Sequence, residues 1–443
     1  MIDKNTFCSS PWLHFRLTYS GDFVYCRWAL TAKGVQNIRN LSMLEYFNSS
    51  EMNDIRRQLL TGEKPYHCAN CYYQDSFGKV SGRQKQLFRS KLNDAETFDT
   101  DFIHSPHYDR LVYSLFNKGE TVHAPFDFQI DLENTCNSSC IMCYPKASSK
   151  LATDYIKLNK IEPKLFAAPI KFNCWASDPL LVKKFVDELK QMPYIDYIHL
   201  LGGETLYVES FYSICEALVE ADLAKDIIVG TTTNGTVYTP RLEEIIPKFS
   251  RGFHLGLSIE STNSLNDYVR YPADIKTVLQ NFDKFLKLRE QYPALHLTLR
   301  ITPNLFTICY LDEVIQYMID NNVTAESCNV LEKPSVLRME LLPDELRLLA
   351  INKLKMVVSK NSLVSGDSVV DTRNPSLTKQ VISNVVHQYI DFLTNMTAPD
   401  NVESERNDLV KFLNAFESLR NNSILDYAPE FTSFLGQHGY VKK

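Results

Sequence analysis

Three cysteines in one short segment are the residues of this chain whose chemistry is most evident. Cys136, Cys140 and Cys143 lie in DLENTCNSSCIMCYP, directly after the strand-like run PFDFQIDL. The CxxxCxxC spacing brings three thiolates into one tight loop. Such a loop can hold one face of an iron-sulfur cube while the fourth iron keeps no protein ligand. An iron without a protein ligand is a place for chemistry at the metal.

A structural zinc ion is the alternative for a short cysteine group in an intracellular chain. Structural zinc is bound by four protein ligands in tetrahedral geometry. The nearest further candidates, Cys174 and His199, lie beyond a long helical stretch of the sequence. The spacing therefore favours a three-thiolate iron-sulfur cluster and leaves zinc open.

Polar residues and glycines stand at the ends of the next three predicted strands. They are Gly202, Gly203 and Glu204, then Thr233, Asn234 and Gly235, then Ser258 and Glu260. The carboxyl ends of the strands are where parallel α/β barrels carry their sites. We therefore expect these groups to lie near the cysteine loop.

Together, the motifs resemble the radical S-adenosylmethionine (radical SAM) superfamily, whose CxxxCxxC loop follows the first strand of a partial barrel. The resemblance implies a 4Fe-4S cluster on Cys136, Cys140 and Cys143 that binds SAM and cleaves it to a 5′-deoxyadenosyl radical. It implies that Glu204 accepts a hydrogen bond from the methionine ammonium. Met142 stands where many relatives have an aromatic residue. The positions that the resemblance assigns to SAM binding are Gly202, Gly203, Glu204, Asn234, Ser258, Glu260, Arg270 and Met142. It implies that Asn234, Ser258 and Glu260 meet the ribose hydroxyls, that Arg270 pairs with the SAM carboxylate and that Met142 borders the adenine.

A second set of cysteines lies near the amino terminus. Cys8 and Cys26 flank a hairpin-like pattern with a turn at residues 20–21, and a CxxC motif supplies Cys68 and Cys71. Four thiolates can close a metal site completely, so the ligand count allows a zinc ribbon. The stretch also resembles the twitch or SPASM type of auxiliary-cluster domain, placed here before the barrel. That resemblance implies one auxiliary 4Fe-4S cluster, which either relays electrons or stabilises the fold of the domain.

Composition limits the classes of partner. The chain has 443 residues, with 47 Lys and Arg against 53 Asp and Glu, for a formal charge of −6. This balance argues against binding to nucleic acid driven by phosphate neutralisation. The start lacks the features of a secretory signal, and no apolar run approaches the ~20 residues that span a bilayer. We expect a cytoplasmic protein without a membrane partner, whose 11 cysteines form no disulfide framework.

Alternating strand and helix patterns predict an α/β fold, a partial (β/α)6 TIM-type barrel of the radical SAM kind. The predicted strands are 126–132, 196–201, 226–232, 253–259, 295–302 and 324–331. The expected parts are a small cysteine-rich α+β auxiliary domain at 1–85, a connecting segment at 86–124, the barrel at 125–335 and a helical region at 336–443. The helical region carries no chemical motif, and packing is its default role.

The reaction beyond SAM cleavage follows only from the resemblance. Relatives with auxiliary clusters often modify peptide side chains, which implies a peptide or protein substrate and an external electron donor of the flavodoxin or ferredoxin type. Two alternatives stay open within the same chemistry: a nucleic acid or a small metabolite as substrate. A different class, a non-enzymatic zinc-stabilised binding protein, would have no use for the strand-end motifs. No residue is assigned here as catalytic.

Overall fold

The computed structural model describes the chain in ranges separated by gaps. The described residues are 3, 5–30, 36–76, 81–89, 108–169, 171, 173–325, 328–364 and 378–442. The β-strands are β1 (His14–Leu17), β2 (Phe23–Val24), β3 (Asp127–Asp131), β4 (Tyr197–Leu201), β5 (Ile228–Thr233), β6 (Phe253–Ser258), β7 (Leu295–Arg300) and β8 (Thr324–Ala325). The α-helices are α1 (Ser10–Leu13), α2 (Met43–Phe47), α3 (Ser50–Leu60), α4 (Ala69–Ser76), α5 (Gly82–Arg89), α6 (Tyr108–Phe116), α7 (Ser149–Ile161), α8 (Pro179–Leu189), α9 (Glu209–Glu220), α10 (Pro240–Ile245), α11 (Leu265–Val269), α12 (Ile275–Gln291), α13 (Leu311–Asp320), α14 (Asp344–Asn361), α15 (Thr378–Asn395), α16 (Val402–Arg420) and α17 (Thr432–Gln437).

Two compact units make up the chain, and each is assembled from separate stretches of sequence. The first unit comprises residues 1–133, 172–201 and 209–229, and the second comprises 134–171, 202–208 and 230–443. The division falls inside β5, between residues 229 and 230. The four parts expected from the sequence are continuous segments, and their boundaries stay predictions.

The first unit contains a hairpin and two further strands. β1 and β2 pair in antiparallel fashion, with Arg16 opposite Val24. Gly21 in the turn has a φ of +87°, a conformation that costs glycine little because it has no Cβ. β1 also pairs in parallel with β3, and β3 pairs in parallel with β4. The hairpin expected from the sequence is present, and it extends the sheet that β3 and β4 form.

Aromatic packing and a capped helix hold the hairpin in place. The ring of Phe15 lies 5.2 Å from that of Phe23 and 5.7 Å from that of Phe128, which joins β1 to β3. Helix α2 begins with a capping box: the Ser42 hydroxyl accepts from the Glu45 amide at 3.2 Å, and the Glu45 carboxylate accepts from the Ser42 amide at 2.7 Å. These reciprocal bonds satisfy backbone donors at the helix start.

The second unit contains the later strands with the helices between and after them. β6 and β7 pair in parallel from Phe253 opposite Leu295 to Ser258 opposite Arg300. β7 pairs in parallel with β8 at Leu299 opposite Ala325. Parallel pairing needs a crossover helix, and α12 and α13 supply it here. The α/β class expected from the sequence is confirmed, as is the helical carboxyl-terminal region.

The sixth predicted strand is shorter than expected. β8 ends at Ala325, residues 326–327 lie outside the described ranges, and 328–330 form no strand. At Asn329 the Tyr389 hydroxyl accepts from the backbone amide at 3.1 Å and donates to the carbonyl at 2.9 Å. A side chain from α15 therefore takes the place of a strand partner at this point. Residues 90–107 of the expected connecting segment also lie outside the described ranges.

Helix α16 packs its aromatic face on α7 and the residues that follow it. Phe166 is fully buried, and its ring lies 5.3 Å from Phe412, 5.4 Å from Phe416 and 5.2 Å from Tyr155. This cluster ties the helical region to the helix that follows the cysteine loop. Within the described ranges, no helix combines the length and apolar character that crossing a bilayer requires.

We predict that Phe166→Ala lowers the free energy of unfolding by about 3–5 kcal/mol, because it leaves a cavity among three rings. The measurement is chemical denaturation followed by circular dichroism and tryptophan fluorescence. Phe116→Ala is the matched control, since the Phe116 side chain is 79% exposed, and it should change the stability by less than about 0.5 kcal/mol. Equal losses in the two variants would contradict the packing described here.

Candidate functional site

The cysteine loop is tied to the start of α7. The Ser148 hydroxyl accepts from the Leu151 amide at 3.1 Å and donates to the Ser138 carbonyl at 2.7 Å. Within the loop, the Cys143 amide donates to the Cys140 carbonyl at 3.1 Å. The Ser138 amide points at the Cys136 sulfur at 3.4 Å. The CxxxCxxC spacing therefore forms a compact turn whose backbone is fixed by hydrogen bonds.

Gly203 lies where the backbone after β4 meets the beginning of this loop. A Cβ atom at Gly203 would be 2.4 Å from the Thr135 carbonyl oxygen and 2.6 Å from that of Asn134. The Glu204 amide donates to the same Thr135 carbonyl at 3.0 Å. Only glycine permits this contact, because any side chain would collide with backbone that cannot move freely.

The Glu204 carboxylate joins this contact to the turn after β5. It is buried, and it accepts from the Leu206 amide at 3.1 Å, the Thr233 hydroxyl at 2.6 Å and the Asn234 amide at 2.5 Å. Burial raises the pKa of Glu204, while these three hydrogen bonds favour the charged form and oppose the rise. A carboxylate offers about four acceptor positions. Its expected contact with the methionine ammonium would use the one that remains.

Asn234 connects the same turn to the cysteine loop. Its amide nitrogen donates to the Asn137 side-chain oxygen at 2.8 Å and to the Ser138 hydroxyl at 3.0 Å. Its amide oxygen accepts from the Thr236 amide at 3.0 Å and the Thr236 hydroxyl at 2.6 Å. The resemblance implies that Asn234 meets the ribose hydroxyls of SAM. The structure shows that it also holds the loop, and its contact with SAM stays a prediction.

Glu260 and Arg270 form a buried ion pair beside Cys140. The Arg270 guanidinium donates to the Glu260 carboxylate at 2.6 Å, and its other terminal nitrogen lies 3.9 Å from the Cys140 sulfur. The Thr302 amide donates to the second Glu260 oxygen at 2.8 Å. Burial alone would lower the pKa of Arg270, but Glu260 and Cys140 raise it above its usual value. Arg270 therefore stays charged next to the cysteine loop, and its expected pairing with a SAM carboxylate stays a prediction.

Two assigned residues make fewer contacts. Ser258 is half-buried at the end of β6, in register with Arg300 of β7. Met142 is half-buried between Cys143 and Ile141, whose amide donates to the Val269 carbonyl at 2.9 Å. The structure thus places Met142 in the loop, while its contact with an adenine ring stays a prediction.

The three loop thiols lie in surroundings that favour the neutral form. Burial raises the pKa of Cys136 to about 11 and that of Cys143 to about 12. Burial also raises the pKa of Cys140, against the opposing charges of Arg270 and Arg420. Since metal ligation requires thiolates, binding must release these protons. A metal with high affinity for sulfur, such as iron in an iron-sulfur cluster, provides the energy for that release.

The four amino-terminal cysteines meet in the first unit. Cys8, Cys26, Cys68 and Cys71 line one cavity. The Trp28 amide lies 3.4 Å from the Cys26 sulfur, which is typical of backbone donation to a ligand thiolate. Among the described residues, no three His, Cys, Asp or Glu side chains are close enough to hold a single metal ion. The four sulfurs thus share one cavity, and four thiolates are a donor set for a structural zinc ion or for a fully ligated 4Fe-4S cluster.

The sequence did not single out three residues that the structure places at these sites. The Tyr25 hydroxyl lies 3.2 Å from the Cys68 sulfur, and Arg83 lines the same cavity while pairing with Asp75 at 2.6 Å. Arg420 contacts the CxxxCxxC loop from α16. The only signal for Tyr25 was its place beside Cys26, and Arg420 had none, because it lies 281 positions from its partner.

Comparisons with known proteins agree with the two cysteine sets. A family model described as the radical SAM superfamily matches residues 132–302, and one described as an iron-sulfur cluster-binding domain matches residues 8–72. The resemblance, the fold class and the cofactors expected from the sequence are thereby confirmed. No curated protein matches the chain.

Solved structures similar to the chain have low identity to it. Native anSMEcpe with bound AdoMet is 14% identical with a TM-score of 0.36, over 53% of this chain and 62% of that one. Streptococcus suis SuiB bound to S-adenosylmethionine is 14% identical with a TM-score of 0.34, over 80% of this chain and 71% of that one. The chain thus spans less than two thirds of the length of anSMEcpe.

We predict that Gly203→Ala disrupts the cysteine loop, because the added Cβ meets the carbonyls of Thr135 and Asn134. The variant should retain less than half of the iron that the unaltered protein binds at the loop, and its apparent melting temperature should fall. Gly436→Ala is the control, since a Cβ there meets nothing within 4 Å. Unchanged iron content in Gly203→Ala, measured by colorimetric assay after anaerobic reconstitution, would show that the close contact is dispensable.

Proposed function

We propose that the chain is a radical SAM enzyme that abstracts a hydrogen atom from a peptide or protein side chain. Its cofactors are a 4Fe-4S cluster with S-adenosylmethionine at the radical SAM domain and an iron-sulfur cluster at the amino-terminal domain. When bound, the first cluster supplies the electron that cleaves SAM to a 5′-deoxyadenosyl radical. The observation that carries the proposal is the CxxxCxxC loop, whose three thiols are presented by one hydrogen-bonded turn.

The residues around the loop have distinct roles in this proposal. Cys136, Cys140 and Cys143 hold the cluster and leave one iron without a protein ligand. Glu204 positions the loop through Gly203 and Asn234, and its remaining acceptor position would be available to the methionine ammonium of bound SAM. Arg270, charged and beside Cys140, offsets part of the negative charge of the thiolates. Asn234, Ser258, Glu260, Gly202 and Met142 complete the assigned SAM contacts.

The amino-terminal site holds an auxiliary cluster with four cysteine ligands. A cluster whose irons are all bound by cysteine suits electron transfer or stabilisation of the fold, because no iron stays open to a substrate. Arg83 and the Tyr25 hydroxyl both lie at this cavity and favour negative charge on the sulfurs. A cluster with an added electron is stabilised by such neighbours, which supports the relay role.

The substrate, the electron donor and the location of the protein belong to the same proposal. An auxiliary-cluster domain next to a radical SAM domain supports a peptide substrate, by analogy with relatives of that architecture. The electron comes from an external flavodoxin- or ferredoxin-type donor. The described cysteines are all free thiols, which suits the reducing cytoplasm in which we place the enzyme.

We predict that the protein, prepared without oxygen and given dithionite and SAM, forms 5′-deoxyadenosine, and that replacing Cys136, Cys140 and Cys143 together by alanine abolishes this product. Liquid chromatography with mass detection measures it. Replacing Cys174 and Cys215 by alanine is the control, since neither lies in a cysteine motif, and it should leave formation unchanged. Product formation that does not depend on the three loop cysteines would contradict the proposal.

Metal analysis separates iron-sulfur clusters from zinc at both sites. We predict about eight irons per chain after reconstitution, from two 4Fe-4S clusters, and about four when Cys8, Cys26, Cys68 and Cys71 are replaced by alanine. Emission spectrometry of the purified protein measures iron and zinc in the same sample. Stoichiometric zinc at the amino-terminal site of protein purified without oxygen would contradict the auxiliary cluster.

The substrate class can be tested by following deuterium into the product. Perdeuterated peptide, RNA and small-metabolite fractions from one bacterial culture are each added to the reduced enzyme with unlabelled SAM. Hydrogen abstraction from a substrate transfers deuterium to 5′-deoxyadenosine and raises its mass by about one unit. We predict this increase with the peptide fraction. An increase with RNA or metabolites alone would sustain radical chemistry but overturn the peptide substrate.

A further inference from the structure

The last residue of helix α16 reaches into the cysteine loop of the same unit. One terminal nitrogen of the Arg420 guanidinium donates to the Ser139 carbonyl and lies 3.2 Å from the Ser139 hydroxyl. The other donates to the Tyr268 carbonyl at 3.4 Å. Arg420 lies well beyond residues 132–302, the part that the radical SAM family model matches. The helical region is therefore in direct contact with the candidate cluster site.

Ser139 stands between the first two cysteines of the motif, so its position affects both. It is fully buried, its amide donates to the Tyr271 carbonyl at 2.6 Å, and its hydroxyl donates to the Asp154 carboxylate at 2.6 Å. With Arg420 on its carbonyl, every polar group of Ser139 has a partner. The next residue, Cys140, can move only if this set of bonds rearranges.

The charge of Arg420 is buried without an ion pair. The residue is 8% exposed. Among the described residues no carboxylate forms an ion pair with it, and the Asp154 carboxylate acts on its charge while accepting from the Ser139 hydroxyl. Its Nε is buried without a hydrogen-bond partner. Two rings face the guanidinium, Phe416 at 4.4 Å and Tyr271 at 4.8 Å. Rings and carbonyls offset only part of the cost of burying a cation.

The loop cysteines are the group that could supply that opposite charge. A 4Fe-4S core held by three thiolates carries net negative charge, and the charge increases by one on reduction. Arg270, the other cation at the loop, is already paired with Glu260 at 2.6 Å. Arg420 forms no such ion pair among the described residues. The Asp154 carboxylate, which accepts from the Ser139 hydroxyl, offsets part of its charge, and the remainder acts on the loop, where burial reduces screening by solvent.

The carboxyl-terminal end of α16 is itself anchored, so that Arg420 is held in place. The Glu417 carboxylate, one turn earlier, accepts from the Tyr268 hydroxyl at 2.9 Å and from the Tyr440 hydroxyl at 2.7 Å. The Ile424 amide, just after the helix, donates to the same carboxylate at 2.7 Å. A cation in the last turn is also favoured by the helix dipole.

We propose that Arg420 is a positioning residue of the radical SAM site, which fixes the cysteine loop through Ser139 and offsets the charge of the cluster that the loop holds. The inference rests on the proposed function and extends it to a region without a chemical motif. Two consequences follow. Loss of the paired hydrogen bonds from Arg420 to the Ser139 and Tyr268 carbonyls should weaken cluster retention. Loss of the positive charge should make reduction of the cluster harder.

Two variants and a control on the same helix separate the effect of the paired hydrogen bonds of Arg420 from the effect of its positive charge. Arg420→Gln removes the charge, and Arg420→Lys keeps the charge but cannot reach Ser139 and Tyr268 together. Arg406→Gln is the control, because Arg406 also binds a backbone carbonyl, that of Leu341 at 3.1 Å, and faces the Phe434 ring at 5.3 Å. Its loss should reduce thermal stability without a specific effect on the cluster.

Two quantities are measured: iron per chain, and the midpoint potential of the radical SAM cluster. That cluster is identified as the one whose electron paramagnetic resonance signal, in the reduced protein, changes when SAM is added. We expect Arg420→Gln to lower both values, and Arg420→Lys to lower iron content while keeping the potential close to that of the unaltered protein. Arg406→Gln should keep both. If Arg420→Gln and Arg406→Gln give the same potential and the same iron content, Arg420 is only structural and the inference is overturned.

The same experiment distinguishes this failure from failure of the proposed function. If the unaltered protein forms no cluster whose signal responds to SAM, the proposed function fails and the inference fails with it. If that signal is present and the Arg420 variants match the Arg406 control, only the inference fails. Where a variant does not fold, near-ultraviolet circular dichroism identifies it, and Arg420→Lys, the smaller change, then decides on iron content.

Discussion

The buried carboxylate of Glu204 is the group on which the arrangement of the site depends. It binds the turn after β5 through Thr233 and Asn234, and the backbone beside it presses against the cysteine loop at Gly203, where no side chain fits. Asn234 then reaches the loop from the other side. Three segments that are far apart in sequence are thereby held within hydrogen-bonding distance. Removing the charge of Glu204 would weaken its bonds to Thr233 and Asn234, and with them the position of the turn from which Asn234 reaches the loop.

Electrostatics gives the site its second constraint. Burial raises the pKa values of the loop thiols, so the folded chain by itself favours neutral sulfur. Arg270 and Arg420 stand beside Cys140 and favour the thiolate. Burial of a cation costs stability, which the Glu260 carboxylate offsets at Arg270 and which the negative charge of a bound cluster would offset at Arg420. The same reasoning explains why the helical region, which has no motif of its own, reaches the loop through one arginine.

The sequence predicted the features that depend on residues close together in the chain. The cysteine motifs, the glycine–glycine–glutamate element and the alternation of strands and helices are local patterns, and the fold class and both cysteine sets followed from them. Contacts between distant residues leave no local pattern, so Arg420 at Ser139 and Arg83 at the amino-terminal cavity were missed. β8 was predicted too long because Val330 and Leu331 were taken as its end, whereas the Tyr389 hydroxyl binds the backbone of Asn329 there.

The central claim is that the three loop cysteines leave one iron of the cluster open to the methionine part of SAM. Electron-nuclear double resonance on the reduced protein, with SAM carrying nitrogen-15 at its amino group, tests this most directly. The account predicts a hyperfine coupling between that nitrogen and the cluster, absent when unlabelled SAM is used. Bound SAM with no coupling of its amino nitrogen to the iron would contradict the account.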